Sequence, residues 1–204
     1  MKHLLEMAYP DKFKLDHLNK LTSYKARIGY ARSHLQKLSP EGTSRVAFLV
    51  DDEKVLKVAK NTKGIAQNKA EIENSDPDYA ILAKVFATDP KYYFLEMELA
   101  KKVSNSQFNK LTNISIENLE NYLQFLHYSD KKSPLAKASY SKSFDTNEWL
   151  QDLLMFIRDY DYPITLDFAK LSSFGVVTRN NKDIVVLIDF GFDHDAMKLY
   201  NHYV

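Results

Sequence analysis

Residues 175–192, GVVTRNNKDIVVLIDFGF, constrain this chain more than any other stretch. Val176 and Val177 open a strand, and Asn180-Asn181 supply a turn pair that tolerates positive φ. Ile184 to Ile188 is an apolar, mostly β-branched run suited to a buried return strand. Asp189 follows at once, with Phe190 and Gly191 behind it. A carboxylate at the exit of a buried strand is costly to desolvate unless it meets a cation, a metal or several donors. Asp-Phe-Gly is also short enough to arise as an ordinary surface turn. Its meaning therefore depends on what lies upstream.

The 204 residues suit one compact domain, or one domain in two small lobes, and an apolar content of 45% is enough for a core. Lys and Arg number 28 against 27 Asp and Glu, so no overall field points to nucleic acid or to a membrane surface. The absence of Cys excludes disulfides, thiolate catalysis and a Cys-based zinc site. No apolar run is long enough to span a bilayer, and MKHLLEMAYPDK lacks a signal-peptide core. A cytoplasmic location is expected.

Taken in order, Leu15, Leu18, Leu21, Ile28, Leu35 and Leu38 predict one long amphipathic helix from Phe13 to Leu38. Lys14, Lys20, Lys25, Arg27, Arg32 and Lys37 fall on its other face, which reads as solvated, with a nucleic-acid surface as the alternative. Pro40 and Gly42 break it. Ser44 to Val50 and Val55 to Ala59 form a hairpin around Asp51-Asp52-Glu53, with Lys57 inside an apolar strand. Residues 64–74 look helical and carry Glu71 and Glu73; Val85 to Thr88 and Tyr92 to Leu99 make a second hairpin. Helices are expected over 106–111, 115–128 and 145–160, the last with a capping box from Asp145 and Glu148. His127 reads as a packing residue and 130–143 as a loop. The sequence thus predicts an α+β chain with a small antiparallel sheet holding one inserted helix, a mainly helical second half, and a long N-terminal helix ahead of both. Boundaries are expected at 1–39, 40–100 and 101–204.

This order resembles the protein-kinase-like fold, on the segments VLKVAK (55–60), AQNKAEIE (66–73), FLEMELA (94–100), LDFAKLSSFGVV (166–177) and VVLIDFG (185–191). The last two also resemble small, phage-type kinase-like open reading frames. The resemblance implies ATP and Mg²⁺ as cofactors and phosphoryl transfer to a small molecule or a protein hydroxyl. It implies that Lys57 holds phosphate oxygens, that Glu71 (Glu73 as runner-up) pairs with it, and that Asp189 ligates the metal. Asp167 would be the catalytic-loop acid, and Met97, Glu98 and Leu99 would meet the adenine edge. Departures are plain. Residues 39–46 read SPEGTSRV, with Gly42 alone where the family has a glycine-rich loop. Thr165-Leu166-Asp167 lacks the family's His-Arg, while Arg158-Asp159 imitates it too far upstream. Ser172 replaces the metal-binding Asn, and thirteen residues follow Gly191, too few for a peptide-docking lobe. These departures leave open a pseudokinase, a nucleotide-binding or partner-binding module without turnover. A protein partner is compatible with either reading; nucleic acid and membrane are not expected.

Overall fold

The computed structural model describes residues 9–10, 12–38, 42–129, 142–160 and 166–200, excepting the side chains at 127–129, 142, 143, 166 and 167. The reading of His127 as a packing residue therefore lies outside the described side chains, and most of the 130–143 loop lies outside the described residues.

The expected long N-terminal helix is two short ones, α1 (Leu15–Lys20) and α2 (Tyr24–His34). Leu21 takes an extended backbone, and Ser23 caps α2 by accepting a hydrogen bond from the Ala26 N–H at 3.1 Å. A local cap thus interrupts a periodicity that the leucines alone would continue. Leu35 is extended as well, and Gln36–Lys37 forms β1, paired with β2 (Arg45–Leu49). The basic face is not continuous either. Arg27 is buried, its guanidinium stacked 3.5 Å from the Tyr93 ring centroid.

Strands β2 and β3 (Lys54–Ala59), then β4 (Val85–Thr88) and β5 (Phe94–Glu98), complete a five-stranded antiparallel sheet in the order β1-β2-β3-β5-β4. Alternation gives this sheet two different faces. Val46, Phe48, Leu56, Val58 and Phe94 pack against Phe13, Leu18, Ala31 and Leu35, so the N-terminal helices brace the back of the sheet. Val55, Leu95 and Met97 face the other way, into the main core, and Lys57 shares their side. Glu96, buried on the back face, is satisfied by a short hydrogen bond from the Tyr9 hydroxyl. Between β3 and β4 runs α3 (Thr62–Glu73), capped by Asn61, which accepts from the Gly64 N–H at 3.0 Å.

The second half holds β6 (Lys101–Lys102), α4 (Asn105–Thr112), α5 (Ile116–Ser129), α6 (Lys142–Asp145) and α7 (Glu148–Asp159). The expected cap of the last helix is displaced: Asp145 ends α6, and Asn147 caps α7, accepting from the Leu150 N–H at 2.9 Å. A capping box does occur at α4, between Ser104 and Gln107. Two 3₁₀ turns, Leu166–Ala169 and Leu171–Ser173, lead into β7 (Phe174–Arg179) and β8 (Lys182–Leu187), which with β6 make a second antiparallel sheet. Asn180 and Asn181 adopt φ of 52° and 59°, the primed turn geometry that suits strand twist. Finally α8 (His194–Tyr200) packs on α3.

Phe13→Ala should lower unfolding free energy by about 3–5 kcal/mol, the usual cost of emptying a buried Phe site. Chemical denaturation measures it; an unchanged midpoint would mean that the N-terminal helices do not brace the sheet.

Candidate functional site

The site lies where β3, α3 and the exit of β8 converge. Lys57 projects from the middle of β3 and α3 runs beneath it. Glu71, in the last turn of α3, meets the ammonium with both oxygens, at 3.1 and 2.9 Å. The same ammonium donates to the Ile188 carbonyl at 2.6 Å, which ties β3 to the strand end that carries Asp189. Glu73 turns outward to Lys69 at 3.7 Å, so Glu71 is the acid of α3 that faces the strand.

A second cation enters that the sequence reading did not single out. Arg45, at the start of β2, reaches Glu71 through Nη1 at 2.7 Å and Nη2 at 2.9 Å, and the same Nη2 donates to Asp189 Oδ1 at 2.7 Å. Asn68 adds an acceptor at 3.4 Å. The signal was present in the alternation. Ala47 is the register partner of Lys57, and Arg45 lies two residues from Ala47 on the same face. Periodicity locates such a residue on a face, but only the packing of α3 brings it to Glu71.

Exposure sorts the four groups. The Glu71 side chain is fully buried, Arg45 and Lys57 are 10% and 12% exposed, and Asp189 is 55% exposed. Burial is the largest influence on Glu71 and pushes its carboxyl up, but Arg45 and Lys57 together outweigh it and hold the pKa below the ordinary value. Burial also dominates at Lys57 and pulls its ammonium below the usual range, against the opposing pull of Glu71. Two positive and two negative groups therefore share one neutral cluster, with its only half-open member at the surface.

Around Asp189 the chain is closely packed. Phe190 is buried in the main core, with its ring 5.9 Å from that of Phe156 and nearly perpendicular to it. Gly191 passes the α3 backbone so tightly that a Cβ would lie 2.6 Å from the Gln67 carbonyl oxygen. A glycine is needed there for close approach. Gly64 does the same at the start of α3, where a Cβ would lie 2.2 Å from the Ser44 carbonyl oxygen.

The remaining candidates are less concentrated. Met97 is fully buried in the core. Glu98 is ion-paired with Arg179, which also donates to the carbonyls of Ala80 and Leu82 at 2.7 Å. The Glu98 and Leu99 amides donate to the Lys84 and Glu53 carbonyls at 2.8 and 2.7 Å. In this state, then, those two backbone donors serve the protein itself. Gly42 is exposed and its carbonyl accepts from Lys60 at 3.1 Å. Ser172 is exposed on its 3₁₀ turn. Asp167 belongs to the preceding turn, but its side chain lies outside the described residues. Arg158 and Asp159, the upstream imitation of a catalytic signature, pair with each other at 3.0 Å, and Asp159 accepts from the Tyr79 hydroxyl.

Among the described residues no group of three or more His, Asp or Glu is arranged to hold a metal. Mg²⁺, however, commonly takes one or two carboxylates and completes its shell with phosphate oxygens and water. Asp189, half-open with its Oδ1 on Arg45, fits the role of such a single carboxylate.

No known family model matches the chain, and no curated protein sequence matches it. Among solved structures, the streptomycin–ATP–APH(2")-IIa ternary complex is similar with a TM-score of 0.33 and 16% identity, over 84% of this chain and 71% of that one. The gentamicin–APH(2")-IIa complex is similar with a TM-score of 0.32 and 18% identity, over 84% and 70%. Similarity this weak carries no functional assignment.

Removing the Glu71 carboxylate leaves two buried cations without their shared counter-ion, so Glu71→Ala should cost about 3–5 kcal/mol of stability. The pH dependence has a definite sign. Because the folded pKa is depressed, the Glu71 contribution is fully present above the unfolded value of about 4.3 and is lost as pH falls below it. The stability gap between wild type and Glu71→Gln should therefore narrow in acid denaturation below about pH 4; a gap that widened there would contradict the assignment.

Proposed function

We propose that this protein is a minimal kinase-like phosphotransferase that binds ATP with Mg²⁺. The observation that carries the reading is the buried Lys57–Glu71 pair under an antiparallel sheet, with Asp189 beside it at a strand exit. Phosphoryl transfer asks for little covalent chemistry from a protein. It needs a held polyphosphate, neutralised charge and a positioned acceptor.

Each residue then has one task. Lys57, kept extended by Glu71, contacts the α- and β-phosphate oxygens. Asp189 and, with a weaker hydroxyl donor, Ser172 would hold the metal, which when bound neutralises charge on the phosphates. Asp167 accepts the proton of the acceptor hydroxyl as its oxygen attacks the γ-phosphorus and ADP departs. Met97, Glu98 and Leu99 border the adenine, with Gly42 near the phosphates. The Glu98 and Leu99 amides, which here donate to the Lys84 and Glu53 carbonyls, would exchange those partners to meet a base. The acceptor class is a small molecule or a protein hydroxyl.

Isothermal titration with ATP, with and without Mg²⁺, tests this reading. Wild type should bind in a Mg²⁺-dependent manner, Asp189→Asn should lose that dependence, and Lys57→Met should weaken binding by about tenfold or more while still folding. Unchanged affinity in Lys57→Met would refute the assignment.

A further inference from the structure

The chain has Gly42 alone where a phosphate-cradling loop would need several glycines, yet the sheet face that carries Lys57 also carries a cation that the proposed machinery does not use. Arg45 is anchored by both terminal nitrogens to the buried Glu71, and Nη2 is shared with Asp189. Its position is set from below by Glu71 and Asn68, so the fork is held in place whether or not Asp189 remains its partner. Asp189 is the open half of that contact, being 55% exposed against 10% for Arg45.

We propose that Arg45 is a polyphosphate-binding residue, which exchanges the Asp189 carboxylate for phosphate oxygens when a metal-bound polyphosphate reaches Asp189. This rests on the nucleotide-binding reading above. The charge count supports it. Arg45, Lys57, Glu71 and Asp189 sum to zero, and when Asp189 turns to a divalent cation one of the two Nη2 N–H groups of Arg45 loses its acceptor. Nη2 keeps its bond to Glu71 through one N–H, but the N–H that Asp189 leaves is a guanidinium donor without an acceptor, which is costly, and the oxygens that arrive with the metal are the nearest replacement of the same charge. A planar fork on a rigid strand then supplies by side chain what a glycine-rich backbone supplies by amides. Asp189 meanwhile acts as an internal placeholder, keeping the arginine neutralised and aimed.

The test compares AMP, ADP, ATP and inorganic tripolyphosphate, each with Mg²⁺, in wild type, Arg45→Gln and Arg45→Lys, with thermal unfolding run on every sample. Wild-type affinity should rise with phosphate number. In Arg45→Gln the ATP-to-AMP affinity ratio should drop by about tenfold or more, the usual weight of a charged hydrogen bond, with AMP affinity nearly unchanged. Arg45→Lys, which keeps the charge beside Glu71 but loses the fork, should lie between the two and serves if Arg45→Gln does not fold. Equal loss for AMP and ATP would assign Arg45 a structural role and overturn the proposal, as would an unchanged ratio in both variants. A second arm uses metal-free tripolyphosphate: Asp189→Asn should tighten its binding when Arg45 is present and not in the Arg45→Gln background. Wild type that binds tripolyphosphate through Arg45 but no nucleotide would overturn the ATP reading alone. Wild type that binds neither overturns both.

Discussion

The Glu71 carboxylate is the interaction on which the site depends. Its side chain is wholly buried, and it is held ionised by two cations that come from neighbouring strands. A buried carboxylate with no counter-ion would shed its charge; with Arg45 and Lys57 it becomes the fixed point that orients both. Through Lys57 it reaches the Ile188 carbonyl, and through Arg45 it reaches Asp189, so one acid registers α3 against β2, β3 and the end of β8. Such a cluster is poor evidence for stability as such. Its consequence is geometric, since a shift of any one element would leave a charge unpaired.

The rest of the fold keeps that cluster still. The back of the five-stranded sheet is filled by the N-terminal helices, so β2 and β3 are packed on the side away from Lys57. Phe190 and Gly191 fasten the chain after Asp189, one by burial in the core and the other by near contact with α3. Helix α8 continues from there and packs on α3 again, and the Tyr200 hydroxyl meets Ser44 just before Arg45. The N-terminal helices thus back β2 and β3, while α8 backs α3 and reaches the residue before β2. Arg179 plays a comparable part farther out, joining Glu98 to the Ala80 and Leu82 carbonyls.

Where sequence reasoning went astray, a local hydrogen bond or a strand pairing overrode a periodic pattern. The leucine spacing over Phe13 to Leu38 is helical throughout, but Ser23 captures the Ala26 amide and β1 captures Gln36 and Lys37. Asp145 and Glu148 have the spacing of a capping box, yet Asn147 stands nearer the start of α7 and takes the amide. Arg27 looked solvated among basic neighbours and is instead stacked on Tyr93, a contact between α2 and the loop before β5 that no local pattern announces.

What the sequence determined by itself was the order of elements and the turn chemistry. The Asn180-Asn181 turn, the apolar run into Asp189, the hairpin carrying Lys57 and the helix carrying Glu71 are all written in short-range pattern, because strand alternation and turn preference act over a few residues. The choice of Glu71 over Glu73, the entry of Arg45 and the pairing of Arg45 with Asp189 were decided by tertiary structure. Those contacts join residues 26 and 144 positions apart, and they depend on how α3 rotates against the sheet. A charge must find its counter-charge in space, and spacing along the chain does not record that distance.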